Sequence, residues 1–152
     1  MKKIFAIVLA LTLLASLSVT ILAANTSGGE ADITTSIEPT YTVTIPADVN
    51  VQFNATKTAF GYIEVEAAQI HPDKCIVVTI GTDGKLENSI DNTKVIPYAI
   101  KDSHDNDFTG ASYLTEGDFT ELFIHITEND WNAAYAGDYS DTVTFTVSYE
   151  NK

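Results

Sequence analysis

The sequence contains no arginine and only one cysteine, and each shortage excludes a class of protein. Its 152 residues carry eight lysines against 21 acidic side chains, which gives a formal net charge of −13. A surface this acidic repels nucleic acid and anionic lipid, so we expect no nucleic-acid partner. A lone cysteine forms no internal disulfide, so Cys75 is interpreted as a half-buried packing residue. The stability of the fold must therefore come from an apolar core.

The first 24 residues have the pattern of a secretory signal. A basic start, Met1-Lys2-Lys3, precedes an uncharged apolar run over 4–24 that ends in Ala23-Ala24. Because this run is long enough to span a bilayer, an uncleaved anchor is the alternative. We predict a signal peptide over 1–24, a flexible mature N-terminus over 25–36 and a β-sandwich domain over 37–152. The mature product is then extracellular and free of the membrane.

Alternation of apolar and polar residues runs along most of the remaining chain and predicts half-buried antiparallel strands. The segments that show it are 41–45, 49–54, 62–67, 76–80, 96–100, 122–126 and 143–149. The pair Asp83-Gly84 predicts a two-residue hairpin turn leading to Leu86. Since Pro97 lacks an N–H group, its strand is expected to lie at a sheet edge or to be bulged.

Helical periodicity appears only briefly, over 127–134. Thr127 with Asp130 three residues later resembles a capping box, and a short turn here would lay Trp131 against the end of the core. The remainder predicts an all-β fold of about seven to nine antiparallel strands, packed as an immunoglobulin-like Greek-key β-sandwich. In such a fold Tyr139 is expected to be a corner residue, with its hydroxyl group bound to nearby backbone.

Three segments resemble a broad group of small secreted bacterial β-sandwich proteins. They are YTVTIPADVNV (41–51), KLENSIDNTKVIPYAI (85–100) and WNAAYAGDYSDTVTFTVSYE (131–150). The group includes spore-coat-U-like domains, pilin-like domains and Gram-positive surface proteins. The pattern of its last strand is matched here by Gly137, Tyr139, Val143, Val147 and Tyr149. The paired cysteines of many such domains and the Trp-x-Leu motif of related wall-binding domains are absent from this sequence. The resemblance implies an extracellular structural, adhesive or fibre-forming role and brings no catalytic residues.

The loop KDSHDNDFTG (101–110) contains the densest group of oxygen ligands. Asp102, Asp105 and Asp107 are the candidate ligands of a Ca²⁺ site, because Ca²⁺ prefers crowded carboxylates in a flexible loop. The EF-hand spacing is not met, and a solvated acidic loop is the alternative. No catalytic motif accompanies the histidines, so a non-enzymatic protein without an obligatory cofactor is predicted.

Aromatic residues provide a second candidate ligand site. Phe108 and Trp131 are the candidate residues of a glycan-binding surface on which sugar rings could stack, and core packing is the alternative. The glycan would belong to the cell wall or to a host.

The segment EADITTSI (30–37) suggests how the protein could assemble. It could pair within its own sheet, which is the default expectation, or add a strand to an exposed edge of another subunit. We therefore predict a secreted, non-enzymatic bacterial surface protein, structural or adhesive, such as a fibre or coat subunit. Its partners would be further copies of itself or other surface proteins. An extracellular carbohydrate- or Ca²⁺-binding β-sandwich module is the alternative.

Overall fold

A computed structural model describes residues 30–152, and the predicted signal peptide lies outside these residues. Residues Ser36–Lys152 form one compact unit. The elements in chain order are β1 (Thr40–Thr44), β2 (Lys57–Gln69), β3 (Lys74–Gly81), β4 (Lys85–Asn88), β5 (Val95–Pro97), β6 (Ala99–Asp102), β7 (Gly110–Tyr113), β8 (Phe119–His125), α1 (Glu128–Ala133), β9 (Tyr139–Ser140) and β10 (Thr144–Asn151). No helix within the described part of the chain is long and apolar enough to span a bilayer.

The strands form three antiparallel sheets, so the all-β prediction is confirmed. A four-stranded sheet has the order β1-β2-β8-β6, and two three-stranded sheets have the orders β10-β3-β7 and β5-β4-β9. The four-stranded sheet packs against both others, which gives a sandwich-like arrangement of two layers. The ten strands in residues 30–152 slightly exceed the predicted number.

The core consists of two apolar clusters between the layers. The larger cluster joins the middle strands, where Ile63, Val65, Ile76 and Val78 are completely buried. The smaller cluster lies at the helical end and contains Ile96, Ile124, Ile126 and Trp131. Alternation places these side chains on the inner faces, as the sequence predicts.

Three parts of the sequence-based prediction are wrong, for tertiary reasons. Residues 49–54 alternate as a strand would, but they form an irregular connection, in which Val49 and Val51 line a groove. Asp83-Gly84 does not close a hairpin, since β3 and β4 lie in different sheets and the chain crosses between them here. Residues 30–39 form no strand, so the expected pairing of 30–37 within its own sheet is not found.

The strand predicted around Pro97 is divided into two edge strands. β5 ends at Pro97 on the edge of one sheet, and β6 starts at Ala99 on the edge of another. Between them, Tyr98 donates its N–H to the carbonyl of Gly84 over 2.8 Å. The prediction that Pro97 lies at an edge is therefore confirmed, and the chain changes sheets immediately after it.

The helical turn and the tyrosine corner are both confirmed. The Thr127 side chain accepts a hydrogen bond from the Asp130 N–H and begins α1. This turn buries Trp131, whose Nε1 donates to the carbonyl of Ala55 over 3.0 Å. The hydroxyl of Tyr139 donates to the carbonyl oxygen of Tyr135 over 2.9 Å, four residues upstream.

Candidate functional site

The two layers are open along one side, where β1 and β10 are the outermost strands. The aromatic rings of Tyr41 in β1 and Tyr149 in β10 stack with their centroids 5.8 Å apart, and this contact closes one end of the open side. Along β10, Val147 is the direct partner of Val78 in β3 and so points into the space between the layers. Val147 is nevertheless 38% exposed, whereas Val78 is fully buried. The inner face of β10 is thus only partly covered by the opposite layer.

An apolar groove of about 400 Å³ lies beside the first residues of β10. Its walls come from the connection 45–51, from β2, β4 and β8, and from the segment that enters β10. Phe60, Val143 and Phe145 line it together with Ile45 and Val49. Ile45 and Val49 remain exposed because the irregular connection over the groove has no strand partner.

A hydrogen-bonded polar cluster lies at the edge of this groove. The Tyr98 hydroxyl donates to Asp141 Oδ2 over 2.5 Å, and Thr82 Oγ1 donates to the same oxygen over 2.8 Å. Burial, followed by the hydrogen bond to Asp141, raises the pKa of Tyr98 to about 12. Burial opposes ionisation of Asp141, but the hydrogen bonds from Tyr98 and Thr82 outweigh it and lower the pKa of that carboxyl. The cluster is therefore a neutral phenol bound to a carboxylate at neutral pH.

The residues predicted to bind Ca²⁺ do not converge on a common point. Asp102 accepts hydrogen bonds from the backbone N–H groups of His104 and Asn106. The pKa of Asp102 is lowered, mainly by the hydrogen bond from the Asn106 side chain and further by these backbone hydrogen bonds. The carboxylate of Asp105 lies 3.2 Å from Lys57 Nζ, and that of Asp107 lies 2.7 Å from Lys101 Nζ. Each carboxylate thus has a protein partner of its own. Within residues 30–152, no group of three acidic, histidine or cysteine side chains is placed to hold a metal ion.

The prediction that Phe108 and Trp131 form a glycan-binding surface is wrong, because both rings are buried. Phe108 is 8% exposed in the larger core cluster, and Trp131 is 9% exposed in the smaller one. The alternative interpretation, core packing, holds for both. Cys75 is likewise buried, with only 4% of its surface exposed, and is more enclosed than expected.

Two of the exposed aromatic rings lie on the outer face of the four-stranded sheet. Tyr62 in β2 is 48% exposed and Phe119 in β8 is 64% exposed. Both positions fall on the polar phase of their strands, opposite the inward stripe of Ile63 and Leu122. An aromatic residue on the outward phase of a strand was the available signal for this surface.

The histidines are dispersed over the molecule. His71 contacts Asp73 in the turn before β3. His125 Nε2 is enclosed 3.6 Å from Asp105 Oδ1, and burial lowers the pKa of this imidazole despite the nearby carboxylate. His104 lies in the 102–107 loop and is exposed.

No protein-family model matches this chain, and a comparison with curated proteins finds no match. The resemblance to coat-like and pilin-like proteins therefore remains a hypothesis based on the three segments quoted above.

Proposed function

We propose that this protein is a secreted, non-enzymatic bacterial surface protein, in which an immunoglobulin-like Greek-key β-sandwich serves as a structural or adhesive subunit. Its association site is the outer edge of β10, where a strand from a neighbouring subunit or surface protein would be added. The observation that carries the proposal is this eight-residue edge, which lies beside an open apolar groove. Added strands bind through main-chain hydrogen bonds, and their alternate side chains enter adjacent pockets.

The edge of β10 differs from the other strand edges of the described residues. The β1 edge is interrupted by a register shift between Thr42 and Val43, and the β5 edge carries Pro97. β6 and β7 each have four residues, and β9 has two. Short length, bulges and proline are the usual protections against edge pairing. β10 has eight residues in unbroken register with β3 and contains neither lysine nor proline.

A donor segment for this edge exists in the chain itself. Residues 30–37 are rich in β-branched residues, which favour strands, but they form no strand here. Ile33 is 98% exposed and Ile37 is 68% exposed. Four residues apart, both would lie on the same side of an extended strand. In a neighbouring copy, this side could be inserted between the layers next to β10.

Sedimentation velocity of residues 25–152 over a wide concentration range tests self-association. We expect assembly that is prevented by Thr146→Lys, which puts a charge on the β10 edge strand. Thr79→Lys is the matched control, because Thr79 is the direct partner of Thr146 on the central strand β3. Equal assembly of the two variants would contradict a role for the edge.

A double variant tests the donor segment. Replacing Ile33 and Ile37 by serine should leave monomer stability within about 0.5 kcal/mol, since both side chains are exposed. The same replacement should weaken assembly strongly if this segment enters the groove. A protein that stays monomeric at every concentration would contradict homo-assembly and leave strand addition to a different surface protein as the remaining form of the proposal.

A further inference from the structure

The outer face of the four-stranded sheet carries aromatic rings and carboxylates in alternating positions. In the β2–β8 register, Tyr62 is opposite Glu121 and Glu64 is opposite Phe119. Directly opposed residues of an antiparallel pair share one face, with Cβ atoms about 4.5–5.5 Å apart. These four side chains, here named the aromatic face, therefore form one continuous patch. It belongs to the sheet that does not contain β10.

The protein's own lysines show how such a combination binds a cation. Next to the aromatic face, Lys57 Nζ lies 4.3 Å from the centroid of Phe123 and 3.2 Å from the carboxylate of Asp105. Two other lysines also lie over rings. Lys94 Nζ lies 4.9 Å from the ring centroid of Tyr135, and Lys74 Nζ lies 5.9 Å from that of Tyr149. A ring face attracts an ammonium group electrostatically, and the lysine stem covers apolar surface.

Tyr62 and Phe119 each have a cross-strand neighbour that carries a carboxylate, Glu121 and Glu64 respectively. Among residues 30–152, no lysine lies over either ring, and neither Glu64 nor Glu121 has an ion-pair partner. The ring of Tyr62 is 48% exposed and that of Phe119 is 64% exposed. A neutral sugar could stack on the rings and donate hydrogen bonds to the carboxylates, but the net charge of −13 favours a cationic ligand.

We infer that the aromatic face is a docking surface for a lysine-bearing segment of a partner protein. Lysine stems would lie along Tyr62 and Phe119, with their ammonium groups beside Glu121 and Glu64. The net charge of −13 would attract such a segment over long range at low ionic strength. This site is independent of the β10 edge, so each can fail without the other.

Titration with a tetralysine peptide, followed by amide NMR shifts at low salt, tests the inference. The protein is the whole chain without its predicted signal peptide. We expect saturable shifts centred on residues 62–64 and 119–121, and binding that weakens as salt is added. A tetraglutamate peptide should produce no shifts. Shifts spread over the acidic surface without a centre on these residues would overturn the inference.

Variants that leave the net charge unchanged distinguish docking on the aromatic face from attraction by the overall charge of the protein. Tyr62→Ala and Phe119→Ala should each weaken tetralysine binding about two- to fivefold. Tyr135→Ala is the matched control, because this ring is also 63% exposed but already carries Lys94. Equal affinities in all three variants would indicate attraction by net charge alone and overturn the proposal. Binding of neutral cellohexaose at the same residues, with no response to tetralysine, would identify a glycan surface instead and also overturn it.

Discussion

Val78 and Val147 are direct cross-strand partners that point into the same space, yet they differ completely in burial. Val78 lies on β3, the central strand between β10 and β7, and is fully buried in the larger core cluster. Val147 on β10 lies at the open side and keeps 38% of its surface exposed. The same residue type in the same alternating pattern thus has two environments. The layer opposite a strand decides its burial, and the pattern decides only which face points inward.

The largest difference between the two regions should appear when each valine is shortened. Val78→Ala removes two methyl groups from a closed core and should lower the free energy of unfolding by about 2–3 kcal/mol. Val147→Ala makes the same chemical change at the open side and should cost less than about 1 kcal/mol, because water already reaches the site. Urea unfolding monitored by Trp131 fluorescence measures both.

Equal costs for the two valines would show that the open side is closed in solution. In that case an added strand would have no groove to enter, and the proposed association site would lose its main support. A larger cost at Val147 than at Val78 would contradict the placement of β10 at the edge.

The middle of the fold could be predicted from the sequence far better than the open side. Alternation identified the inward stripes of β2, β3 and β8, and local chemistry identified the Thr127 cap and the Tyr139 corner. These features depend on neighbours in sequence or on a strict period of two. Residues 49–54 have the same period but no strand to pair with, and sequence alone carries no record of a missing partner.

The candidate sites were less predictable, because side-chain environment depends on the opposite layer and on nearby charges. Phe108 and Trp131 look like available aromatics in sequence, but each belongs to a core cluster. Asp105 and Asp107 look like metal ligands, but Lys57 and Lys101 come from β2 and β6 to neutralise them. The cluster of Thr82, Tyr98 and Asp141 joins three distant segments and has no sequence motif.

A moderate effect is expected from removing the hydroxyl group at the edge of the groove. Tyr98→Phe deletes the donor to Asp141 and should lower the free energy of unfolding by about 1 kcal/mol, because Thr82 still binds the carboxylate. Tyr139→Phe, which removes a neutral hydrogen bond at the corner, is the comparison for a hydroxyl outside the groove. If Tyr98→Phe has no effect on stability while Tyr139→Phe does, the polar cluster does not stabilise this side. Urea unfolding of both variants at neutral pH provides the test.

The last expected effect is a loss of stability at alkaline pH, to which Tyr98 contributes. Its pKa is about 12 in the folded state against an ordinary value of 10.0, so the folded state retains the phenolic proton longer than the unfolded state. The resulting stabilisation is present below pH 10 and is lost as the pH rises from about 10 to about 12. Tyr98→Phe should make the stability curve shallower in this interval. Some slope should remain, because burial also raises the pKa of Tyr113 in the closed core. If the slope of stability against pH is unchanged in Tyr98→Phe, water reaches the Tyr98 phenol freely in the folded protein. The open side of the molecule would then extend as far as Asp141.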